Sequence, residues 1–183
     1  MSLRNAVTLG STTHSYSGGG TGANGIDGDF TTSQNVESSG GEGGATLTLV
    51  STHTFASAKN ITQIKFRLYA YASATAHYAY TASYSMYVQY CIGGVWTDVA
   101  GSNFSSSASG DNGGEGPSTG TVEKDTGAVT VTYSAALASV TAVKAYVYSN
   151  TNASGGEGVH SEKAHIYEVE AFYVVDTSYA GAI

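Results

Sequence analysis

The sequence predicts an all-β protein, a single jelly-roll β-sandwich of about eight antiparallel strands. Three observations support this. Apolar and polar residues alternate over several short stretches, as in ITQIKFRLYAY at 61–71. Loops rich in Gly, Ser and Asn, which favour turns, separate these stretches. A capped apolar pattern of helical period is missing, apart from a single turn expected near Ala135–Ser139.

The alternation places the strands in chain order. The stretch YSMYVQYCIGGVWTDV predicts two strands joined by a hairpin turn at Gly93-Gly94, because glycine tolerates a positive φ. The expected strands cover residues 5–9, 45–51, 61–71, 84–92, 95–100, 128–134, 141–149 and 164–175. The expected core includes Ile64, Phe66, Leu68, Val88, Trp96, Val131, Val147 and Val169.

Composition predicts one domain over residues 1–183 and excludes some partners. Hydrophobic residues make up 41 %, enough for a core, whereas charged residues make up only 11 %, against about 25 % in a typical soluble domain. The net charge of −7 argues against nucleic-acid binding, which needs clustered Lys and Arg. No stretch approaches the roughly 20 apolar residues that span a bilayer, so we expect no membrane insertion.

The surface composition and the N-terminus together predict a location. A surface built from Ser, Thr, Asn, Gly and Tyr is typical of extracellular proteins, yet the N-terminal residues lack the apolar segment of a signal peptide. A virion surface protein, made in the cytoplasm without a signal peptide, fits both observations. An extracellular location is the alternative.

The tetrapeptide GGEG occurs at 40–43, 113–116 and 155–158. Successive loops of an up-and-down antiparallel path alternate between two ends, and all three segments precede even-numbered strands of the expected set. The sequence therefore predicts one contact surface for a partner or a glycan, formed by Glu42, Glu115, Glu157, Tyr78 and Tyr80. A three-carboxylate cation site and solvated, flexible linkers are the alternatives.

Three stretches carry a family resemblance: ANGIDGDFTTS at 23–33, YSMYVQYCIGGVWTDV and HIYEVEAFYV. Over residues 20–174 the chain resembles the discoidin-like, galactose-binding-like superfamily of jelly-roll domains, which includes fucose-binding lectins and carbohydrate-binding modules. The resemblance implies a structural Ca²⁺ held by oxygen ligands. Its ligands would be Asn24, Asp27, Asp29, Thr32 and Glu168. The alternative is a hydrogen-bonded turn at Asp27-Gly28-Asp29.

The candidate chemistry predicts a protein that is not an enzyme. The five histidines are scattered without metal-ligand spacing, and no Gly-x-Ser-x-Gly nucleophile motif occurs. We therefore expect a non-catalytic virion surface protein, a capsid decoration or a tail attachment component, whose partners are other virion proteins or copies of itself. The alternative is a calcium-dependent lectin or carbohydrate-binding module that recognises cell-surface glycans.

Overall fold

The computed structural model describes residues 2–7, 10–17, 20–21, 33–41, 43–111, 113–155 and 158–175. This part of the chain is all-β and antiparallel, and hydrogen bonds join its eleven strands into one sheet. The strands are β1 (Ser2–Asn5), β2 (Ser11–Ser17), β3 (Gly20–Thr21), β4 (Gln34–Gly40), β5 (Thr46–Ala76), β6 (Ala79–Ile92), β7 (Val95–Asp98), β8 (Phe104–Asp111), β9 (Ser118–Asp125), β10 (Val129–Ala153) and β11 (Val159–Val175). Within these ranges, no helix has the length and apolar character needed to cross a bilayer.

The strand boundaries differ from the expected ones at two long strands. The expected strands at 45–51 and 61–71 belong to the single strand β5, and those at 128–134 and 141–149 belong to β10. The helical turn expected near Ala135–Ser139 is wrong. That stretch lies within β10, where the pairing with β5 shifts register between Thr132 and Val140 and Ser139 has a φ of 59°.

Five strands were not expected from the sequence: β2, β3, β4, β8 and β9. Their residues are mostly Ser, Thr and Gly, as in FSSSASGD of β8, and they lack an apolar alternation. Such segments become strands because neighbouring strands supply the hydrogen-bonded ladder, which outweighs local propensity.

The sheet has two sections, which β5 and β10 connect. The first section contains β2, the first part of β5, the second part of β10, and β6 with β7 and β8. The second contains β1, β3, β4, β11, the second part of β5, the first part of β10, and β9. The Ser149 hydroxyl in the first section donates a 2.5 Å hydrogen bond to the Tyr71 carbonyl in the second. The sections therefore face each other across one shared core, in a sandwich-like arrangement.

Most of the expected core is buried between the sections. Six of the eight expected residues are fully buried: Ile64, Phe66, Leu68, Val88, Val147 and Val169. Val131 is partly buried and packs against this cluster. Alternate residues of β5 and β6 point inwards, in agreement with the predicted alternation.

Trp96 is an exception, because it does not belong to the core. It pairs with Cys91 across the β6–β7 hairpin, and the Lys144 Nζ lies 4.4 Å from the centre of its ring. The hairpin turn itself is confirmed, with φ values of 58° at Gly93 and 84° at Gly94. Positive φ at both central residues is typical of a type I′ turn.

Candidate functional site

The described glycines of the three GGEG segments lie at one end of the sheet, around the turn between β5 and β6. Gly43 forms an isolated bridge with Ala153, and its amide donates a 3.0 Å hydrogen bond to the Ala153 carbonyl. The Gly114 amide donates a 3.1 Å hydrogen bond to the carbonyl of His77 in this turn. We call this region, with Tyr78, the GGEG end.

Tyr78 is the most prominent side chain of the GGEG end. Its side chain is 54 % exposed, and its amide donates a 3.2 Å hydrogen bond to the Ser154 carbonyl. A Cβ added at Gly114 would lie 3.0 Å from its ring, and one added at Gly155 would overlap the ring. Both glycines have positive φ, of 90° and 96°. The ring thus rests on two glycine backbones from two different segments, where any larger residue would displace it.

Tyr80 has a packing role at the same end. A Cβ added at Gly110 of β8 would lie 2.7 Å from its ring, and one at Gly120 of β9 would overlap the ring. Tyr80 therefore fills the space between the edge strands of the two sections. A depression of about 70 Å³ beside it is lined by Ala79, Tyr80, Thr81, Asn152 and Ser154.

The structure describes only one of the three glutamates of the GGEG segments. Glu115 is exposed at the GGEG end. Glu42 and Glu157 lie outside the described residues. The structure therefore brings together the described glycines of the GGEG segments and two tyrosines of the predicted contact surface, Tyr78 and Tyr80.

A buried ionisable group that sequence reasoning missed lies next to the GGEG end. Glu162 of β11 is fully buried, and its carboxylate accepts a hydrogen bond from the Thr151 hydroxyl of β10. The Nδ1 of His160 lies 2.9 and 3.0 Å from the two carboxylate oxygens. Thr151 belongs to the first section and His160 and Glu162 to the second, so this trio joins the two sections.

Gly40 makes room for the trio at the edge of the sheet. It pairs with His160 across the β4–β11 ladder, and a Cβ added there would lie 2.7 Å from the His160 Nε2. The first residue of the first GGEG segment is therefore a glycine for a steric reason. Its role is to admit the imidazole that covers Glu162.

The predicted calcium ligands are mostly outside the described part of the chain. Asn24, Asp27, Asp29 and Thr32 all fall there, and the described member, Glu168, lies in β11 with 1 % exposure. Among the described residues, no group of three or more His, Cys, Asp or Glu side chains is placed to hold a metal. The calcium site stays a prediction.

The outer face of the second section carries ion pairs, and we call it the charged face. Arg67 and Asp125 form a bidentate salt bridge. The Arg67 Nε donates to the Asp125 Oδ1 at 3.2 Å, and the Arg67 Nη2 donates to the Asp125 Oδ2 at 2.7 Å. The hydrogen bond from Arg67 holds the pKa of Asp125 below its ordinary value. Burial, followed by a 3.0 Å hydrogen bond to Glu123, raises the pKa of Tyr69 well above its usual range.

A polar depression of about 270 Å³ lies on the same face. It is lined by Glu37, Ser38, Ser39, Ser161 and Lys163. The Glu37 carboxylate lies 2.9 Å from the His165 Nε2 and 3.7 Å from the Lys163 Nζ. Burial lowers the pKa of His165, although Glu37 opposes this shift. The depression thus offers a carboxylate, an ammonium group and three hydroxyls within one concave patch.

The outer face of the first section has a different character, and we call it the hydroxyl face. Paired rows of outward side chains cross β5, β10, β6 and β8. These residues are Thr46, Thr48, Thr81, Ser83, Ser85, Ser105, Ser107, Ser109, Tyr148, Asn150 and Asn152. At one side, the rings of Tyr87 and Tyr146 stack with centres 4.7 Å apart.

Comparison with known proteins adds little to this geometry. No family model matches the chain, and no curated protein is similar to it. Among solved structures, it is similar to a chain in the structure of the infectious bursal disease virus Gx strain, at 14 % identity. The match covers 92 % of this chain but only 37 % of that chain. The TM-score is 0.25, and a similarity at this level carries no argument about the fold or the function of this chain.

Proposed function

We propose that this chain is a non-catalytic virion surface protein, a capsid decoration or a tail attachment component. In this proposal a jelly-roll, galactose-binding-like sandwich serves as a contact scaffold, and the GGEG end contacts another virion protein. The observation that carries the proposal is the half-exposed Tyr78 ring, which rests on the backbones of Gly114 and Gly155.

A tyrosine in this setting suits protein recognition. Its ring offers apolar area with a polar tip, and tyrosine is enriched among the residues that dominate binding energy at interfaces. Two glycine backbones already support the Tyr78 ring, so little side-chain freedom remains to be lost on binding. The low charge of the chain, 11 % of residues, agrees with the depletion of charged residues at interface cores.

Replacing Tyr78 with alanine should abolish copurification of the chain with virus particles while leaving the fold intact. The side chain is largely exposed, so we expect the free energy of unfolding to change by less than about 1 kcal/mol. The measurement is the copy number of the chain on purified particles, together with a melting curve of the free chain.

Tyr71→Ala is the matched control for this experiment. Tyr71 is another outward tyrosine, but it lies on the charged face, and its loss should leave particle association unchanged. Retention of Tyr78→Ala on particles at the wild-type copy number would contradict the GGEG end as the contact surface.

Recognition of cell-surface carbohydrate is the second candidate function, and the polar depression on the charged face favours it. The Glu37 carboxylate, the Lys163 ammonium and three serine hydroxyls line that depression, and such groups suit a polyhydroxylated ligand. Glycan-array screening of the isolated chain separates the candidates. Selective sugar binding that Lys163→Ala removes would support a lectin, and a blank array would support the contact scaffold.

We also propose that the chain binds one structural Ca²⁺ through Asn24, Asp27, Asp29, Thr32 and Glu168. Glu168 is the buried member of this set, and carboxylate oxygens are among the ligands that Ca²⁺ prefers. Binding to the folded state alone should stabilise it by about 2.7 kcal/mol at a hundredfold excess over Kd. Melting curves in excess Ca²⁺ and in chelator measure this. Coincident curves would favour an ordinary turn at Asp27-Gly28-Asp29.

A further inference from the structure

We propose that the hydroxyl face is the interface through which two copies of this chain associate. This surface borders the GGEG end at Thr81 and Asn152 but does not include Tyr78, so the inference goes beyond the contact with other virion proteins. The first supporting observation is the distribution of charge. From the row of Tyr146 and Tyr87 to that of Asn152 and Thr81, the described residues of this face include no Asp, Glu, Lys or Arg.

The absence of carboxylates matters because the chain is acidic. It has 14 Asp and Glu against 7 Lys and Arg, so two copies repel each other at long range. Like charges placed opposite each other at an interface disfavour association. Two copies that meet through these rows of the hydroxyl face bring no carboxylates together, because the described residues of the rows include none.

The charged face provides an internal comparison. It also carries hydroxyl pairs, between Ser73 and Thr121 at 2.8 Å and between Thr75 and Thr119 at 2.7 Å. However, Glu37, Glu123 and Asp125 lie on the same face. Stacking two charged faces would bring these carboxylates together, whereas stacking the four rows between Tyr87 and Thr81 would not. Asp98 and Lys144 lie in the next row of the hydroxyl face, beyond Tyr87 and Tyr146. The charge pattern therefore selects one of two otherwise similar surfaces.

The tyrosines supply the contact area for this interface. Tyr87 and Tyr146 are directly opposite in the β6–β10 ladder and stack at an interplanar angle of 14°. A two-fold axis parallel to the strands, between β10 and β6, places Tyr146 of one copy over Tyr87 of the second copy. The contact is then isologous, as is usual in homodimers, and it buries the two aromatic pairs against each other at one edge of the interface.

The size of the face determines the expected strength. With a strand spacing of about 4.8 Å and about 6.8 Å between rows on one face, four strands and four rows cover roughly 500 Å² per copy. A standard stable interface buries about 800 Å² per partner. We therefore expect a reversible, concentration-dependent dimer.

The sharpest test is Asn150→Asp, which adds one charge to the face without changing the shape of the side chain. The Asn150 Oδ1 accepts a 2.7 Å hydrogen bond from the Thr46 hydroxyl, and a carboxylate preserves it. Sedimentation equilibrium should show at least a tenfold increase in the dimer Kd. The matched control is Asn35→Asp, the same isosteric change on the charged face, which should leave the Kd unchanged.

Three results would overturn the proposal. The first is a wild-type chain that stays monomeric up to about millimolar concentration, where even weak transient complexes form. The second is a dimer Kd for Asn150→Asp equal to that of the wild type. The third is an equal increase of the dimer Kd in Asn150→Asp and Asn35→Asp. Ser85→Asp provides a second charge at the centre of the face should Asn150→Asp unfold. Tyr78→Ala should dimerise normally, so failure of the particle contact and failure of this interface are distinguishable.

Discussion

Replacing His160 with alanine should lower the free energy of unfolding by about 3–5 kcal/mol, because it leaves the Glu162 carboxylate buried without its imidazole partner. Glu162 is fully buried, and the His160 Nδ1 contacts both carboxylate oxygens. Only the hydrogen bond from Thr151 then remains among the three members of this network. Urea denaturation of the variant and the wild type measures the effect.

His165→Ala is the matched control on the same strand. Its partner Glu37 has a side chain that is 46 % exposed, so water solvates the carboxylate once the imidazole is removed. We expect a loss of about 1 kcal/mol. The double variant His160→Ala with Glu162→Gln should be more stable than His160→Ala alone, since the amide carries no charge. Equal losses in the two histidine variants would show that burial of the carboxylate is not the cause.

Replacing Phe66 with alanine should cost about 3–5 kcal/mol, the range for removing a buried aromatic ring from a packed core. Phe66 is fully buried in β5, where its ladder partners are Val129 of β10 and Val169 of β11. For a chain of this size, such a loss lowers the melting temperature by roughly 6–20 °C. Differential scanning calorimetry provides the measurement.

The control for this prediction is Phe172→Ala in β11. Phe172 is half-buried, and the Lys65 Nζ lies 4.9 Å from the centre of its ring. Its removal takes less apolar area out of the core, and we expect a loss of about 1 kcal/mol. A comparable loss in both variants would mean that Phe66 is not central to packing between the two sections.

The strands that sequence reasoning predicted well are those with strong local signals. The alternation of Ile64, Phe66 and Leu68 fixed an inward face, and Gly93-Gly94 fixed a hairpin. The serines of β8 carry no such signal, because their strand conformation depends on pairing with β6. Trp96 was misplaced because it lies opposite Cys91 on the outer side of the sheet, a position that hydrophobicity alone does not reveal.

The functional region was predictable only in part. The alternation of loops between two ends was counted over eight expected strands, whereas the described residues form eleven. The convergence of the GGEG glycines depends instead on contacts such as Gly43 with Ala153. One member of the buried trio, Glu162, could have been identified from the sequence pattern. Glu162 shares the inward parity of Ala164 and Ile166, and a carboxylate at such a position indicates a buried, partnered charge. Its partner Thr151 lies on another strand, which the local pattern cannot identify.

The continuity of β5 has a consequence for how the chain reaches its native state. One strand pairs with β2 from the beginning of the chain and with β11 from its end, and also with β9 and β10. Neither half of the polypeptide contains all the strands with which β5 pairs, so a fragment of either half cannot form the complete ladder. Folding has to wait for contacts that are distant in sequence, which places the chain among slow folders, on a scale of milliseconds to seconds or longer. During synthesis, the first part of β5 leaves the ribosome well before its partner β10. Its backbone therefore has no partner on that side until β10 has been synthesised.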